Sequence, residues 1–147
     1  MDKTDREILR ILVADGRRSY RDIGEAVHLS ANAVAERIRR LVKDGTVRAI
    51  RAVVDPAALG VTVEAQIDVK LRPTTSAEAF EAAIRDLPQV TSATLMTGSF
   101  DYALRVACVD RNELVDVTET IRNKAGALET YSRVILREVR LGGWYGA

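Results

Sequence analysis

Apolar positions recur at the helical spacing of three to four residues over the first third of the chain, and from residue 63 they switch to strict alternation. Thr4 offers an N-cap for a first helix, with Asp5 and Glu7 in its opening turn. Ile8, Leu9, Ile11, Leu12 and Val13 supply its buried face, and Gly16 stops it. Ser19 caps a second helix, with Asp22 where a negative charge suits the helix dipole and Ile23, Ala26 and Val27 behind it. His28 and Leu29 make a tight turn, and Ser30 caps a third helix. In that helix Val34, Ile38, Leu41 and Val42 form one apolar stripe, and Gly45 suits the C-cap.

The stretch TVRAIRAVVD alternates, which predicts a strand or short β-hairpin after the three helices, and so a winged helix-turn-helix over residues 1–54. Asp55-Pro56-Ala57-Ala58-Leu59-Gly60 then breaks the pattern and reads as a linker. Residues 61–147 form the second domain. VEAQIDVKLR places Val63, Ala65, Ile67, Val69 and Leu71 on one face of a strand that Pro73 ends. Ser76 caps a helix with Phe80, Ala83, Ile84 and Leu87 inward. Val90–Thr97 and Phe100–Val109 read as strands joined by a two-residue Gly98-Ser99 turn of type II′. Asp110 caps a helix through Leu114, Val117 and Ile121, and a last strand spans about Leu128 to Val139. The order β-α-β-β-α-β is a ferredoxin-like sandwich, so the chain is α+β. Both helices cover one face of that sheet. The other face needs cover, and a second copy of the chain is the expected partner.

Charge changes the picture in one place. Residues 17–51 carry nine basic side chains against four acidic ones, in a chain whose total is only +1. On a helical wheel Asn32, Ala33, Glu36, Arg37, Arg40 and Lys43 form the front of the third helix, opposite its apolar stripe. A polar, mostly basic front on a greasy back is what a helix entering the DNA major groove requires, although such faces are also simply solvated. Arg48 and Arg51 fall on the expected wing, where phosphates would pass. The remaining residues offer little chemistry. His28, the one histidine, sits in the turn, and Cys108, the one cysteine, sits in a strand as a small apolar residue. Neither a metal-ligand cluster nor a nucleophile–base pair is recognisable by spacing, so no catalytic or metal residues are expected. One cysteine, no signal-peptide segment and no long apolar run indicate a cytoplasmic protein without a membrane span. Trp144 and Tyr145 in the glycine-rich tail suggest docking against a neighbour.

Three segments carry a family resemblance: DKTDREIL, LSANAVAERIRRLVKDGTVRAI and TGSFDYALRV. Together with the linker, they make essentially the whole chain resemble the leucine-responsive and asparagine-synthesis regulators, the Lrp/AsnC family. Lys43 stands near where that family usually has an acid. The resemblance implies a transcription regulator that is not an enzyme. It further implies a homodimer, often assembled to an octamer, that binds double-stranded DNA and a small amino-acid effector without a cofactor. Carried over by position, Ser30, Asn32, Ala33, Glu36, Arg37 and Arg40 would face DNA. Leu95, Thr97, Gly98, Ser99, Phe100, Asp101 and Tyr102 would line or shape the effector pocket. Asp101 could meet an ammonium and the turn's N–H groups a carboxylate. The same residues also suit a plain hairpin with a glycine turn, a terminal carboxylate and cross-strand aromatics. Two other functions share the architecture. One is a siroheme-decarboxylase-like enzyme, for which residues 56–147 lack a histidine. The other is an effector-independent protein that wraps DNA.

Overall fold

The computed structural model describes residues 1–139, so the expected docking of Trp144 and Tyr145 lies outside the described residues. Two compact units make up the described chain, Met1–Val53 and Val54–Glu138.

The first unit is three helices: α1 (Lys3–Ala14), α2 (Tyr20–Val27) and α3 (Ala31–Lys43). The cap of α1 is Asp2 and not Thr4. Asp2 Oδ1 accepts from the Asp5 N–H at 2.8 Å and Asp5 Oδ2 accepts from the Asp2 N–H at 3.0 Å, a reciprocal capping box with aspartate in both places. Ser19 and Ser30 cap α2 and α3 as their sequences predict. Ile8, Ile23, Val27, Val34 and Ile38 form the core, with Ile11, Leu12 and Leu29 packed against it. Val13, Ala26 and Val42, expected inside, are exposed. The tight turn depends on backbone shape. His28 adopts a left-handed conformation (φ 57°), and a Cβ on Gly24 would lie 2.4 Å from the Leu29 carbonyl oxygen. Glycine there lets α3 leave immediately after α2.

The expected wing does not form. Residues 48–55 have no strand assignment and no ladder partner among the described residues. Alternation makes a strand only where a second strand can take its backbone groups. Arg48 and Arg51 are exposed on this segment, and Ile50 rests its Cγ2 over Gly16.

The second unit opens with a short 3₁₀ turn, Pro56–Leu59, capped by Asp55 and ended by Gly60 at φ 82°. It continues as β1 (Val63–Leu71), α4 (Ala77–Arg85), β2 (Val90–Leu95), β3 (Tyr102–Cys108), α5 (Arg111–Asn123) and β4 (Ala127–Val134). The sheet order is β2-β3-β1-β4, with every neighbouring pair antiparallel. Ala65, Ile67 and Val69 of β1 face Val106, Leu104 and Tyr102 of β3 in register, and their side of the sheet packs on Phe80 and Ile84 of α4 and Val117 and Ile121 of α5. Cys108 is buried in this core, which pushes its thiol pKa up and keeps it protonated.

The opposite face carries ion pairs beside apolar side chains such as Tyr131, which stands across from Asp68. Arg105 bridges Glu64 at 3.2 Å and Glu138 at 2.7 Å. Asp68, nearly buried, accepts from Gln66 Nε2 at 2.8 Å and pairs with Arg133, whose guanidinium lies 5.6 Å from the Tyr131 ring centre. Alternation on β1 fixed which residues face away from the helices; cross-strand neighbours decided that these charges are satisfied within the chain. Several exposed apolar side chains lie along and just past β4: Leu128, Tyr131, Val134 and Leu136.

Candidate functional site

Burial of Val34, Ala35, Ile38 and Leu41 decides which side of α3 faces out. Asn32, Glu36, Arg39, Arg40 and Lys43 are exposed, and Ala33 is half-buried. Ser30 Oγ accepts from the Ala33 N–H at 3.2 Å, so its hydroxyl is engaged in starting the helix at the exposed end. Arg39, outside the sequence-derived set, belongs to this face and pairs with Glu36 one turn back. Its signal was the helical position of Glu36, three residues away on the same side.

Arg37 leaves the expected face. Its guanidinium points to the N-terminus of α1, where Nη1 donates to Asp2 Oδ2 at 2.6 Å and to Asp5 Oδ1 at 2.8 Å. Arg40 reaches the same carboxylate, with Nη2 at 3.1 Å from both Asp5 oxygens, yet 58% of its side chain stays exposed against 27% for Arg37. Asp5 itself is 1% exposed. The Asp2 N–H, and then Arg37, hold the Asp5 carboxyl below its ordinary range against the upward push of burial. Arg37 and the Asp5 N–H do the same for Asp2, and both carboxylates raise the Arg37 pKa. Of the front residues Arg37 lies nearest the buried Ile38 and Leu41 side, and only the packing of α1 against α3 shows what meets it there. Among the described residues Arg17, Arg18, Lys43, Arg48 and Arg51 form no ion pair, so the unit keeps unpaired positive charge beyond the Asp2–Asp5–Arg37–Arg40 cluster.

The second candidate region is the β2–β3 hairpin. The chain does not turn in two residues. Leu95 pairs with Tyr102, the Met96 N–H donates to the Asp101 carbonyl at 2.8 Å, and Thr97, Gly98, Ser99 and Phe100 form a four-residue loop with Gly98 at φ 122°. Asp101 is committed to the end of β1: its Oδ2 accepts from the Leu71 N–H at 2.7 Å and its own N–H donates to the Val69 carbonyl at 2.9 Å. The carboxylate thus continues the sheet's hydrogen bonding past the last ladder pair.

Beside this hairpin a cleft of about 340 Å³ opens between α4 and β2, lined by Glu81, Ile84, Arg85, Val90, Ser92, Ala93, Leu95 and Tyr102. Of the seven expected residues, Leu95 and Tyr102 reach it. Thr97, Gly98 and Ser99 are exposed in the loop, and Phe100 and Asp101 are half-buried. The Tyr102 ring packs 4.8 Å from Phe80, and its hydroxyl donates to Glu81 Oε1 at 2.7 Å. Burial first, and the Glu81 carboxylate second, push this phenol up to about 12. Glu81 and Arg85 are a carboxylate and a guanidinium one helical turn apart, and sequence reasoning missed both. Nothing in their local pattern distinguished them from any exposed pair on α4; the crossover from β1 to β2 brings them to the hairpin.

Comparison with known proteins gives these two regions a context. The profile of the AsnC-type helix-turn-helix domain matches residues 1–42, and that of the Lrp/AsnC ligand-binding domain matches residues 64–145. The HTH-type transcriptional regulator Rv2324 of Mycobacterium tuberculosis is 34% identical over 136 residues, 92% of each chain. A proline dehydrogenase transcriptional activator of Rhizobium radiobacter is 33% identical over 146 residues, covering 97% of this chain and 94% of its own. Among solved structures, the transcriptional regulator NMB0573 of Neisseria meningitidis, in complex with L-Met, superposes with a TM-score of 0.87 at 31% identity, covering 96% of this chain and 93% of the other.

Proposed function

The chain belongs to the Lrp/AsnC family of transcriptional regulators, and from that premise we propose that α3 reads double-stranded DNA while an amino acid held by the second unit tunes the reading. The observation that carries the DNA reading is the capped, amphipathic α3 with Asn32, Glu36, Arg39, Arg40 and Lys43 outward, in a unit that also exposes Arg48 and Arg51. A short helix with this face, leaving a tight turn, can enter a major groove, while the unpaired cations neutralise phosphates on either side. In this reading Ser30 and Ala33 approach the backbone or base edges at the helix start, and Arg37 supports the face without touching DNA.

The effector reading is supported by the ligand-binding profile and by the L-Met complex of the Neisseria meningitidis protein. We place the amino acid at the β2–β3 hairpin, with Leu95 and Tyr102 as walls. The loop Thr97–Phe100 would supply N–H groups, and the free Oδ1 of Asp101 an acceptor for the ammonium. The regulator works as a homo-oligomer in the cytoplasm. The apolar side chains along β4 support a further copy as the cover for that edge, because leaving them wet forfeits about 25 cal/mol per Å² of apolar surface.

A thermal-shift screen of the twenty amino acids tests the effector reading. A ligand at about 100 times its dissociation constant should add about 2.7 kcal/mol to stability. The ligand found should then change affinity for a DNA duplex, or the mass of the full chain in light scattering. If none of the twenty shifts the melting curve, the effector reading fails while the DNA reading stands.

A further inference from the structure

We propose that Asp5 is a positioning residue that sets the sequence discrimination of α3, fixing the Arg40 guanidinium before DNA arrives while Arg37 ties α1 to α3. The inference rests on the reading that α3 contacts DNA.

Its starting point is an expensive arrangement. A carboxylate 1% exposed in the first turn of α1 accepts from one backbone N–H and two guanidinium groups, and Asp2 joins it through Arg37. Buried ionic clusters are seldom the most stable filling for a site, because desolvation offsets most of the Coulomb attraction. What they supply is defined geometry. Arg37 Nη1 spans both aspartates from a half-buried position, and nothing is left of it to offer DNA but the edge of its guanidinium. Arg40 differs. One nitrogen, Nη2, is held symmetrically by the two Asp5 oxygens, and the side chain is otherwise exposed on the face shared with Glu36 and Lys43. The other N–H groups of Arg40 belong to a side chain that Asp5 restrains. A guanidinium restrained in this way can direct a single N–H at a base edge, whereas a loose one settles on the nearest phosphate.

The charge argument runs the same way. Asp5 removes positive charge from the vicinity of DNA, which weakens binding to every sequence alike. A residue that weakens general attraction while orienting one donor raises the ratio of specific to non-specific affinity. Asp5→Asn keeps the size and one acceptor oxygen but loses the charge and the symmetric hold on Nη2. Affinity for a preferred site should fall and affinity for any other sequence should rise slightly.

The experiment uses the full chain with two probes: a 24-base-pair duplex selected by the unmodified protein from a random pool, and a scrambled duplex of the same composition. The unmodified protein should prefer the selected duplex. Asp5→Asn should lower that preference about ten-fold, the scale expected for one directed charge-assisted hydrogen bond, with scrambled-duplex affinity equal or up to about three-fold higher. In an Arg40→Ala background, Asp5→Asn should leave the preference unchanged, because the guanidinium it positions is gone. Arg40→Lys, which leaves Asp2, Asp5 and Arg37 in place, should lower the preference by a similar factor and decides the matter if Asp5→Asn loses its helical ellipticity. Equal weakening on both duplexes by Asp5→Asn would mean a change in folded fraction alone and overturn the proposal. So would an undiminished preference in Arg40→Lys, or additive effects in the double variant. If the unmodified protein shows no preference at all, the DNA reading of α3 falls, and the role of Asp5 with it.

Discussion

α3 is a regular 13-residue helix and the β2–β3 hairpin a loop between two strands, and they hold their candidate residues by opposite means. In α3 the orientation of most side chains follows from the helix itself: once Val34, Ile38 and Leu41 are buried, Asn32, Glu36 and Lys43 must face out. In the hairpin the local chain says little. Its conformation is imposed by Asp101, whose carboxylate and N–H bond to β1, thirty residues earlier. A helical site is thus robust to sequence change on its surface and sensitive beneath it. A hairpin site is sensitive at the one residue that ties it to the sheet.

The first way to break this comparison is to disturb what lies beneath α3. Gly24→Ala puts a Cβ 2.4 Å from the Leu29 carbonyl, and a backbone oxygen cannot yield without opening the turn. We expect a loss of about 3 kcal/mol in chemical denaturation followed by helical ellipticity. A loss below about 0.5 kcal/mol would show that the turn is not built on this contact. The hairpin counterpart is Asp101→Ala, which leaves the Leu71 N–H without its acceptor and should cost about 2 kcal/mol, while Asp101→Asn, still able to accept, should cost under about 1 kcal/mol. Calorimetry with the effector then sharpens the assignment. A ten-fold loss in Asp101→Asn would give the residue a ligand contact beside its structural one; unchanged affinity would leave it a sheet residue.

Acid separates the two regions again. Asp2 and Asp5 have carboxyl groups held below the ordinary aspartate value in the folded chain. Their contribution is present above that value and is lost as pH falls through the lower folded values, because the unfolded chain then binds the protons more readily. The helical unit should therefore lose stability below about pH 4, and Asp5→Asn should flatten that dependence. A two-dimensional amide spectrum recorded down the titration would check this residue by residue; an identical acid midpoint in the variant would remove Asp5 from the account. The smallest effect belongs to the surface. Lys43→Ala should leave stability unchanged and reduce the slope of log affinity against log salt by about one, as expected for one lost phosphate contact. An unaltered slope would place Lys43 off the DNA.

The regions also differ in how far their residues disclosed them. The serine caps, the apolar stripe of α3 and the perfect alternation of β1 could be read from the chain because capping and amphipathic period act over a few residues. The wing could not. TVRAIRAVVD has the pattern of a strand and lacks a partner among the described residues. The cap of α1 is Asp2, two residues before Thr4, because Asp2 has the reciprocal partner in Asp5. Arg37 was assigned to the wrong neighbour for a similar reason: a wheel counts angles within a helix and knows nothing of α1. Glu81 and Arg85 carried no signal at all, since their interest lies in the cleft that β2 and α4 make together.

The sequence by itself determined the order of the helices and of the sheet strands, the two-part division of its patterns and the main apolar face of α3 and β1. These depend on spacing and on the chemistry of adjacent residues. Tertiary structure decided which charges are free. Asp5 captures two arginines that periodicity would have left facing outward, Asp68 and Arg105 find their partners on the sheet face turned from the helices, and Asp101 is bound to β1 before any ligand arrives. A charge pairs with whatever opposite charge packing brings within a few ångströms. That distance is a property of the folded chain and is not encoded in the separation of residues along it.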